Sequence, residues 1–167
     1  MSEREAIIPP GMEAVYQNIR YAPAVRAGNT LYISGQIGRD EQMQLVEDKE
    51  AQFVQTFENL KKVLQTAGAS FDDIVDVTSF HTDMRDLPLY MKVRDRYFTA
   101  NFPAWTAIGA AQLCGQPGYF LEVKAIAVLP QQRASSSTTR ARRCPDRTTR
   151  SHGPSVPTPS SRRRSPA

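Results

Sequence analysis

The chain has 167 residues, 40% of them hydrophobic, which is enough to bury the core of one ordinary domain. Its net charge of +4 comes from residues 131–167, which hold nine arginines and one acid; residues 1–130 hold 12 bases and 16 acids, so the charge does not indicate a nucleic-acid-binding body. The two cysteines give no disulfide framework, and no stretch has the length of a signal peptide or a membrane span, so we expect a cytoplasmic protein.

The first predicted structure is a β-hairpin. Residues 21–25 form an edge strand or an extended lead-in, because Pro23 interrupts the run. Gly28 and Asn29 accept the positive φ angles of a tight turn. Residues 30–34 then form the second strand, which ends at Gly35.

A helix and a buried strand follow the hairpin. Apolar residues at helical spacing predict a helix over residues 49–67, with Asp48 as the N-cap and Gly68 just past the end. The segment Ile74–His81 is rich in β-branched residues and carries apolar side chains at both parities. This pattern predicts a strand that is buried on both faces.

The last elements are a helix and two strands. The helix begins near Asp86 or Leu87 and ends at Phe98, and the strands occupy residues 105–111 and 119–129. The Gly/Pro-rich break between these strands predicts that they pair with each other. The whole order predicts an α+β fold, a mixed sheet with two helices on one face. We expect the other face to meet another copy of the protein, because monomers rarely expose a large apolar patch.

Two charges lie in the final strand. Glu122 and Lys124 are two residues apart and therefore share one face of the sheet. Glu122 is a candidate general base or acid that could activate a water molecule. The alternative is an ion pair between Glu122 and Lys124 at an interface, because buried charges are costly unless they are paired.

Other polar patterns are weaker. Ser79, His81 and Asp83 occur at alternate positions, but neighbours on one strand rarely meet the geometry of a catalytic triad, so we expect surface polar residues or turn hydrogen bonds near Asp83. Cys114 has no histidine near it in sequence and is expected to be a partly buried bystander. The histidines and lone cysteines lack metal-ligand spacing, so no metal site is expected.

Four separated blocks resemble the Rid family, the YjgF-like reactive intermediate deaminases, and are closest to its YjgH branch. They are YAPAVRAGNTLYISGQIG (residues 21–38), ENLKKVLQTAGASFDDIVDVTSFHTDM (residues 58–84), FPAWTAIGAAQL and FLEVKAIAVLP. The resemblance implies a chorismate-mutase-like α+β fold and a homotrimer with a barrel core and ligand clefts between subunits. Its deaminating members hydrolyse small 2-imino or 2-enamino acids to 2-keto acids and ammonia without a metal or bound cofactor.

The resemblance also implies which residues form the cleft. Carried over by position, they are Glu122 as the catalytic residue and, as substrate-binding residues, Tyr21, Ser34, Gly35, Trp105 and Thr106.

The chain departs from the family pattern at Trp105. Deaminating members have an arginine there, which clamps the substrate carboxylate with two parallel hydrogen bonds. A tryptophan cannot do so, and losing the clamp costs roughly 2–5 kcal/mol of binding by analogy with other buried charge pairs. Met91 likewise stands where many members place a polar ligand contact. We therefore expect Trp105 to line a pocket that no longer holds anions, where it stacks on an uncharged or aromatic ligand or meets a cation, or else to be an interface anchor.

Three functions remain open at this point. The first is an imine or enamine deaminase whose activity is weak or redirected to ligands without the usual carboxylate. The second is a non-catalytic ligand-binding or chaperone-like trimer. The third, binding of nucleic acid by the C-terminal arginines, is disfavoured because no aromatic residues are interleaved with them for base stacking.

Residues 131–167 are predicted to be a disordered tail. The segment has no aromatic residue, no Leu, Ile or Met, and one valine, so it cannot offset its ordering entropy. Deleting it is expected to leave the melting temperature and the oligomer size of the body unchanged, as measured by thermal denaturation and gel filtration. Loss of folding on deletion would place the domain boundary elsewhere.

Overall fold

A computed structural model describes residues 4–130, in which a six-stranded mixed sheet carries two helices on one face. The strands are β1 (Arg4–Ile7), β2 (Ala24–Ala27), β3 (Thr30–Ile37), β4 (Ile74–His81), β5 (Ala104–Gly109) and β6 (Leu121–Val128), and the helices are α1 (Lys49–Thr66) and α2 (Leu87–Arg94). The strand order is β1-β2-β3-β6-β4-β5. The predicted tail lies outside the described residues. Within residues 4–130, neither helix is long and apolar enough to cross a bilayer.

Helix α1 forms as predicted. The side chain of Asp48 accepts a 2.8 Å hydrogen bond from the backbone N–H of Ala51, which caps the first turn. Gly68, just past the end, has a φ of 72°, the left-handed conformation that favours glycine. The helix packs on β3 and β6 through a fully buried face that contains Phe53, Phe57, Leu60, Val63 and Leu64.

The hairpin prediction is also confirmed. Strands β2 and β3 are antiparallel, with Ala27 opposite Thr30 around a turn at Gly28 and Asn29. Strand β1, which the sequence analysis does not predict, pairs with the outer edge of β2. Its four residues, half of them charged, are too short a segment to show an alternating pattern.

The predicted pairing of the last two strands is wrong. Strand β4 lies between them, parallel to β5 and antiparallel to β6. The reason is the helix α2, which joins β4 to β5 as the crossover that parallel strands require. The Gly/Pro-rich segment after β5 therefore spans the width of β4 instead of closing a hairpin.

The helices cover one face of the sheet. In β6 the covered side chains are Leu121, Val123, Ala125 and Ala127, and those that point to the uncovered face are Glu122, Lys124, Ile126 and Val128. Strand β4 was expected to be buried on both faces, yet Asp76, Thr78 and Phe80, which point to the uncovered face, are only partly buried. In the described chain, burial of β4 is therefore one-sided.

The buried amide of Gln52 connects α1 to two loops. Its Nε2 donates to the carbonyls of Val46 and Gly118, each at 2.9 Å, and its Oε1 accepts from the N–H of Phe120 at 2.7 Å. Because Gln52 is fully buried, water cannot take the place of its side-chain amide as the hydrogen-bond partner of these backbone groups. This contact determines where the chain enters β6.

Replacing Gln52 with leucine tests this role. The Gln52→Leu change keeps the side-chain size and leaves two carbonyls and one N–H without partners. Because each unpaired buried group costs about 1–3 kcal/mol, the free energy of unfolding should fall by roughly 3 kcal/mol or more in urea denaturation. The control Gln65→Leu, exposed on the same helix, should change it by less than about 0.5 kcal/mol. Equal losses in both variants would contradict the assignment.

Candidate functional site

Five of the six expected site residues fall into two groups, and Glu122 and Trp105, one from each group, point to opposite faces of the sheet. Trp105 of β5 is the register partner of Val77 of β4, whose side chain is buried beneath the helices. Glu122 alternates along β6 with the buried Leu121 and Val123, so it points to the uncovered face. One small ligand cannot contact both Trp105 and Glu122 within a single chain.

The first group surrounds an irregularity in β3, and we call it the bulge site; it contains Tyr21, Ser34, Gly35 and Glu122. The register of β3 against β6 shifts between Ile33 and Gln36, as it does at a β-bulge. The carboxylate of Glu122 occupies the space beside the Gly35 Cα, and a methyl group added at Gly35 would overlap Oε1 of Glu122. Only glycine at this position leaves the carboxylate where it is.

Ser34 and Tyr21 line an open groove beside the bulge. The Ser34 hydroxyl donates to the carbonyl of Ala22 at 2.8 Å, and the Tyr21 hydroxyl accepts from Nη2 of Arg39 at 3.5 Å. The groove has a volume of about 680 Å³, and its other lining residues are Arg4, Tyr16, Gln17, Arg20, Ala22 and Val25. It therefore places two guanidinium groups near the bulge site, which the motif comparison did not identify.

Burial raises the pKa of the Glu122 carboxyl above its ordinary value. Burial is the sole cause of this shift, and no charge from Lys124 opposes it. The alternative interpretation, an ion pair between these two side chains, is thus not found within the described chain. A half-buried carboxyl with a raised pKa beside an open groove is suited to both accepting and donating a proton.

The second group lies at the β5 edge of the sheet, where Trp105 forms a wall of a cavity of about 130 Å³. We call it the edge cavity; its lining residues are Val77, Tyr90, Arg94, Phe98, Phe102, Pro103 and Trp105. The Trp105 and Tyr90 rings stack with centroids 5.2 Å apart and planes 22° apart. The sequence analysis did not find Tyr90 and Arg94 as site residues, although their i, i+4 spacing on α2 was a usable signal.

Arg94 brings a positive charge to this cavity. Its guanidinium carbon is 5.2 Å from the centroid of the Trp105 ring and 5.9 Å from that of Tyr90, within the range of cation–π contacts. A cationic side chain thus lies beside Trp105 in the same cavity, which weakens the argument that this pocket cannot hold an anion. The charge comes from helix α2 instead of strand β5, so a comparison of β5 positions alone could not reveal it.

A buried hydrogen-bond network holds the indole of Trp105. Its Nε1 donates to Oγ of Ser79 at 2.8 Å, and the same oxygen is 2.8 Å from Nε2 of His81. Ser79 and His81 are fully buried, so the expectation of surface positions is wrong for both. Asp83 does not join them, because its carboxylate is bonded to Arg85, which lowers the pKa of Asp83 to about 2. The three residues form no triad in the described chain.

The groups behind Trp105 are neutral at pH 7. Burial lowers the pKa of His81 and raises that of Tyr90 to about 12. Among residues 4–130, Nδ1 of His81 and the hydroxyl of Tyr90 are buried polar atoms without a hydrogen-bond partner. The network is thus uncharged, and it acts on the edge cavity by fixing the orientation of Trp105.

The remaining candidates lie outside both groups of contacts. Thr106 is exposed on the uncovered face opposite Thr78, and Met91 is exposed on α2. Cys114 is exposed, although it was expected to be partly buried. In the part of the chain that the structure describes, no three His, Cys, Asp or Glu side chains are grouped so that they could hold a metal ion.

The chain is similar in sequence to a known protein family and to several of its members. Residues 12–129 match the family model described as Endoribonuclease L-PSP. RutC family protein YjgH of Escherichia coli K12 is 41% identical over 134 residues, which cover 79% of this chain and all of that protein. The human 2-iminobutanoate/2-iminopropanoate deaminase is 36% identical over 110 residues, covering 65% of this chain and 79% of that protein.

Solved structures show the same relationship. A structure of protein YjgH superposes with a TM-score of 0.71 at 41% identity and covers 78% of this chain and 99% of its own. A structure of E. coli TdcF with bound serine gives a TM-score of 0.62 at 31% identity and covers 66% of this chain and 88% of its own. The matched region coincides with the described sheet and helices.

The raised pKa of Glu122 predicts a pH-dependent effect on stability. Because folding disfavours the ionised carboxylate, the wild type should lose stability as the pH rises from the ordinary glutamate range, near roughly 4.3, through the raised value. Glu122→Gln removes this loss, so its melting temperature should exceed that of the wild type at pH 8 and approach it at pH 4. Glu47→Gln, at an exposed position, is the control in the same thermal scans. A difference independent of pH would contradict the shift.

Proposed function

The chain belongs to the endoribonuclease L-PSP (YjgF) family, as its motifs predict, and from this premise we propose that it is an imine or enamine deaminase. The reaction is hydrolysis of a small 2-imino or 2-enamino compound to the keto compound and ammonia. The observation that carries the proposal is the Glu122 carboxyl, held against Gly35 with a raised pKa. The name of the human relative, 2-iminobutanoate/2-iminopropanoate deaminase, supports the reaction type.

The chemistry requires one group that moves protons in both directions. Water adds to the imine carbon while its proton passes to the Glu122 carboxylate, and the proton is then returned to nitrogen. As the carbon–nitrogen bond breaks, the carbinol O–H proton passes to the leaving nitrogen through the same carboxylate, so ammonia leaves and the carbinol oxygen becomes the keto oxygen. A carboxyl whose pKa is raised toward neutrality serves both steps better than an ordinary glutamate.

The complete site needs a second copy of the chain. Glu122 and Trp105 point away from each other, and the uncovered face carries half-exposed apolar side chains that include Tyr32, Ile108 and Val128. Closure of a homotrimer would cover these side chains and bring the bulge site of one copy to the β5 edge of its neighbour. The ligand would then lie in a cleft between subunits.

A non-catalytic ligand-binding or chaperone-like trimer is the second candidate. Trp105 favours it, because this chain lacks the β5 arginine that clamps the carboxylate in the deaminating relatives. Cleavage of RNA, which the family description names, has less support. Residues 1–130 hold 16 acids and 12 bases, and this net negative charge does not favour nucleic-acid binding.

A coupled assay separates the two candidates. A serine dehydratase supplies 2-aminoacrylate, and release of the 2-keto acid is followed. The wild type should accelerate release; Glu122→Gln should slow it by about 10²–10⁴-fold, because the proton carrier is lost. Gly35→Ala, which displaces the Glu122 carboxylate, should cause a loss of similar size, whereas the surface control Glu47→Gln should not. If Trp105→Arg alone shows turnover, the natural protein is not an imino-acid deaminase.

Mixed oligomers test the shared site. Glu122→Gln and Trp105→Ala should each be inactive alone, and co-refolding them in equal amounts should restore activity. With random mixing in a cyclic oligomer, about a quarter of the clefts pair an intact Trp105 with an intact Glu122, so roughly a quarter of wild-type activity is expected. A mixture that stays inactive, or a monomer in gel filtration, would rule out a cleft between copies.

A further inference from the structure

We propose that Arg94 is the anion-binding residue of the edge cavity, and that this cavity takes a small carboxylic acid with an apolar body. The proposal rests on the proposed function in one respect: the edge cavity supplies one side of the cleft in which the substrate lies. It goes further by naming the substrate class and the residue that selects it. It also reverses the sequence-based expectation that the ligand lacks a carboxylate.

The position of Arg94 is the first argument. Its side chain is 24% exposed, and its guanidinium lies over the faces of Trp105 and Tyr90. Stacking of this kind holds the guanidinium plane in place and leaves its N–H groups free to donate at the edge. Arg94 is therefore oriented before a ligand arrives, which lowers the entropic cost of binding an anion.

The donors of Arg94 are only partly used. Its Nε and Nη2 both donate to one carboxylate oxygen of the neighbouring Asp95, at 3.0 and 2.8 Å. A guanidinium has five N–H donors, so roughly three remain for a ligand. The carboxylate of Asp95 is 60% exposed and would compete with the ligand for the same cation. Asp95 is thus expected to weaken anion binding at this site.

The lining of the cavity defines the body of the ligand. Apart from Arg94, its walls are formed by the side chains of Val77, Tyr90, Phe98, Phe102, Pro103 and Trp105. A volume of about 130 Å³ is near the roughly 150 Å³ that suffices for one benzene ring, so a four-carbon acid or one small ring fits. An apolar cavity would exclude a carboxylate unless a cation compensated its lost hydration. Among the lining residues, Arg94 is that cation.

The buried network behind Trp105 supports the arrangement. Ser79 fixes the indole by accepting its N–H, and the fixed indole is the surface on which Arg94 stacks. A tryptophan at the family's arginine position is therefore compatible with carboxylate binding, with the cation supplied from the neighbouring helix. The guanidiniums of Arg4 and Arg20 line the groove beside Tyr21 and are not part of this cavity.

Ligand binding to the edge cavity can be measured by intrinsic tryptophan fluorescence. Trp105 is the chain's only tryptophan, so intrinsic fluorescence reports on the edge cavity. 2-Oxobutanoate and its uncharged counterpart 2-butanone are titrated into the full chain as the wild type, Arg94→Met and Arg96→Met. Arg96, two residues away, pairs with Glu50 outside the cavity and is the matched control.

We expect saturable binding of 2-oxobutanoate to the wild type and to Arg96→Met. Arg94→Met should weaken it by about 30-fold or more, the fold-change that corresponds to losing one partner of a buried charge pair. Binding of 2-butanone should be weak and equal in all three proteins. Asp95→Asn, which releases two donors of Arg94, should bind 2-oxobutanoate more tightly than the wild type, a gain that a folding defect cannot produce.

Equal affinity of the wild type and Arg94→Met for 2-oxobutanoate, or binding of 2-butanone as tight as that of the acid, would overturn the inference. The two proposals fail separately. Carboxylate binding that depends on Arg94 without any turnover would refute the deaminase and leave this inference standing. Deaminase activity that is unaffected by Arg94→Met would refute the role of Arg94 and leave the proposed deaminase function standing.

Discussion

Side chains on a β-strand alternate between the two faces of a sheet, and this constraint determines how the candidate site can be assembled. The register of β4 with its two neighbours places Trp105 beneath the helices and Glu122 on the uncovered face. A slip of one residue in the β4–β6 pairing would turn Glu122 and Lys124 toward the helices and bury their charges in the core, whereas a slip in the β4–β5 pairing would turn Trp105 to the uncovered face. Under the proposed function, this register separates the binding residue from the proton carrier within one chain, and a second copy would be needed to bring them together.

The bulge site depends on contacts that come from far along the chain. Gln52 on α1 fixes the segment that leads into β6, and β6 in turn carries Glu122. The irregular register in β3 and the missing side chain of Gly35 leave a space for the carboxylate. The perturbed carboxyl is thus a consequence of the fold: a glutamate on a regular sheet surface would extend into solvent and titrate normally.

The sequence predicts what is local and misses what is distant. Asp48 and Gly68 identify the ends of α1 because their effects act within one turn, and Gly28 with Asn29 identifies the hairpin for the same reason. The insertion of β4 between β5 and β6 depends on long-range pairing, which no short pattern records. Motif comparison could suggest the residues of the bulge site, but Arg94 acts on Trp105 from another element, so position-by-position comparison overlooked it.

If Trp105 stands where deaminating relatives have an arginine, as the resemblance implies, an anion at the proposed site would be held in a different way. An arginine on β5 would have to keep its own long side chain ordered, whereas Arg94 is ordered by two aromatic rings. The indole adds apolar surface at the same place, so affinity would come from the ligand's hydrocarbon body as well as from its charge. Asp95 accepts hydrogen bonds from Arg94 and so lowers its affinity for any anion. Small anions that do not also fill the apolar cavity would then bind poorly. Such a site selects for the combination of charge and apolar shape, which a bare guanidinium on the strand would not do.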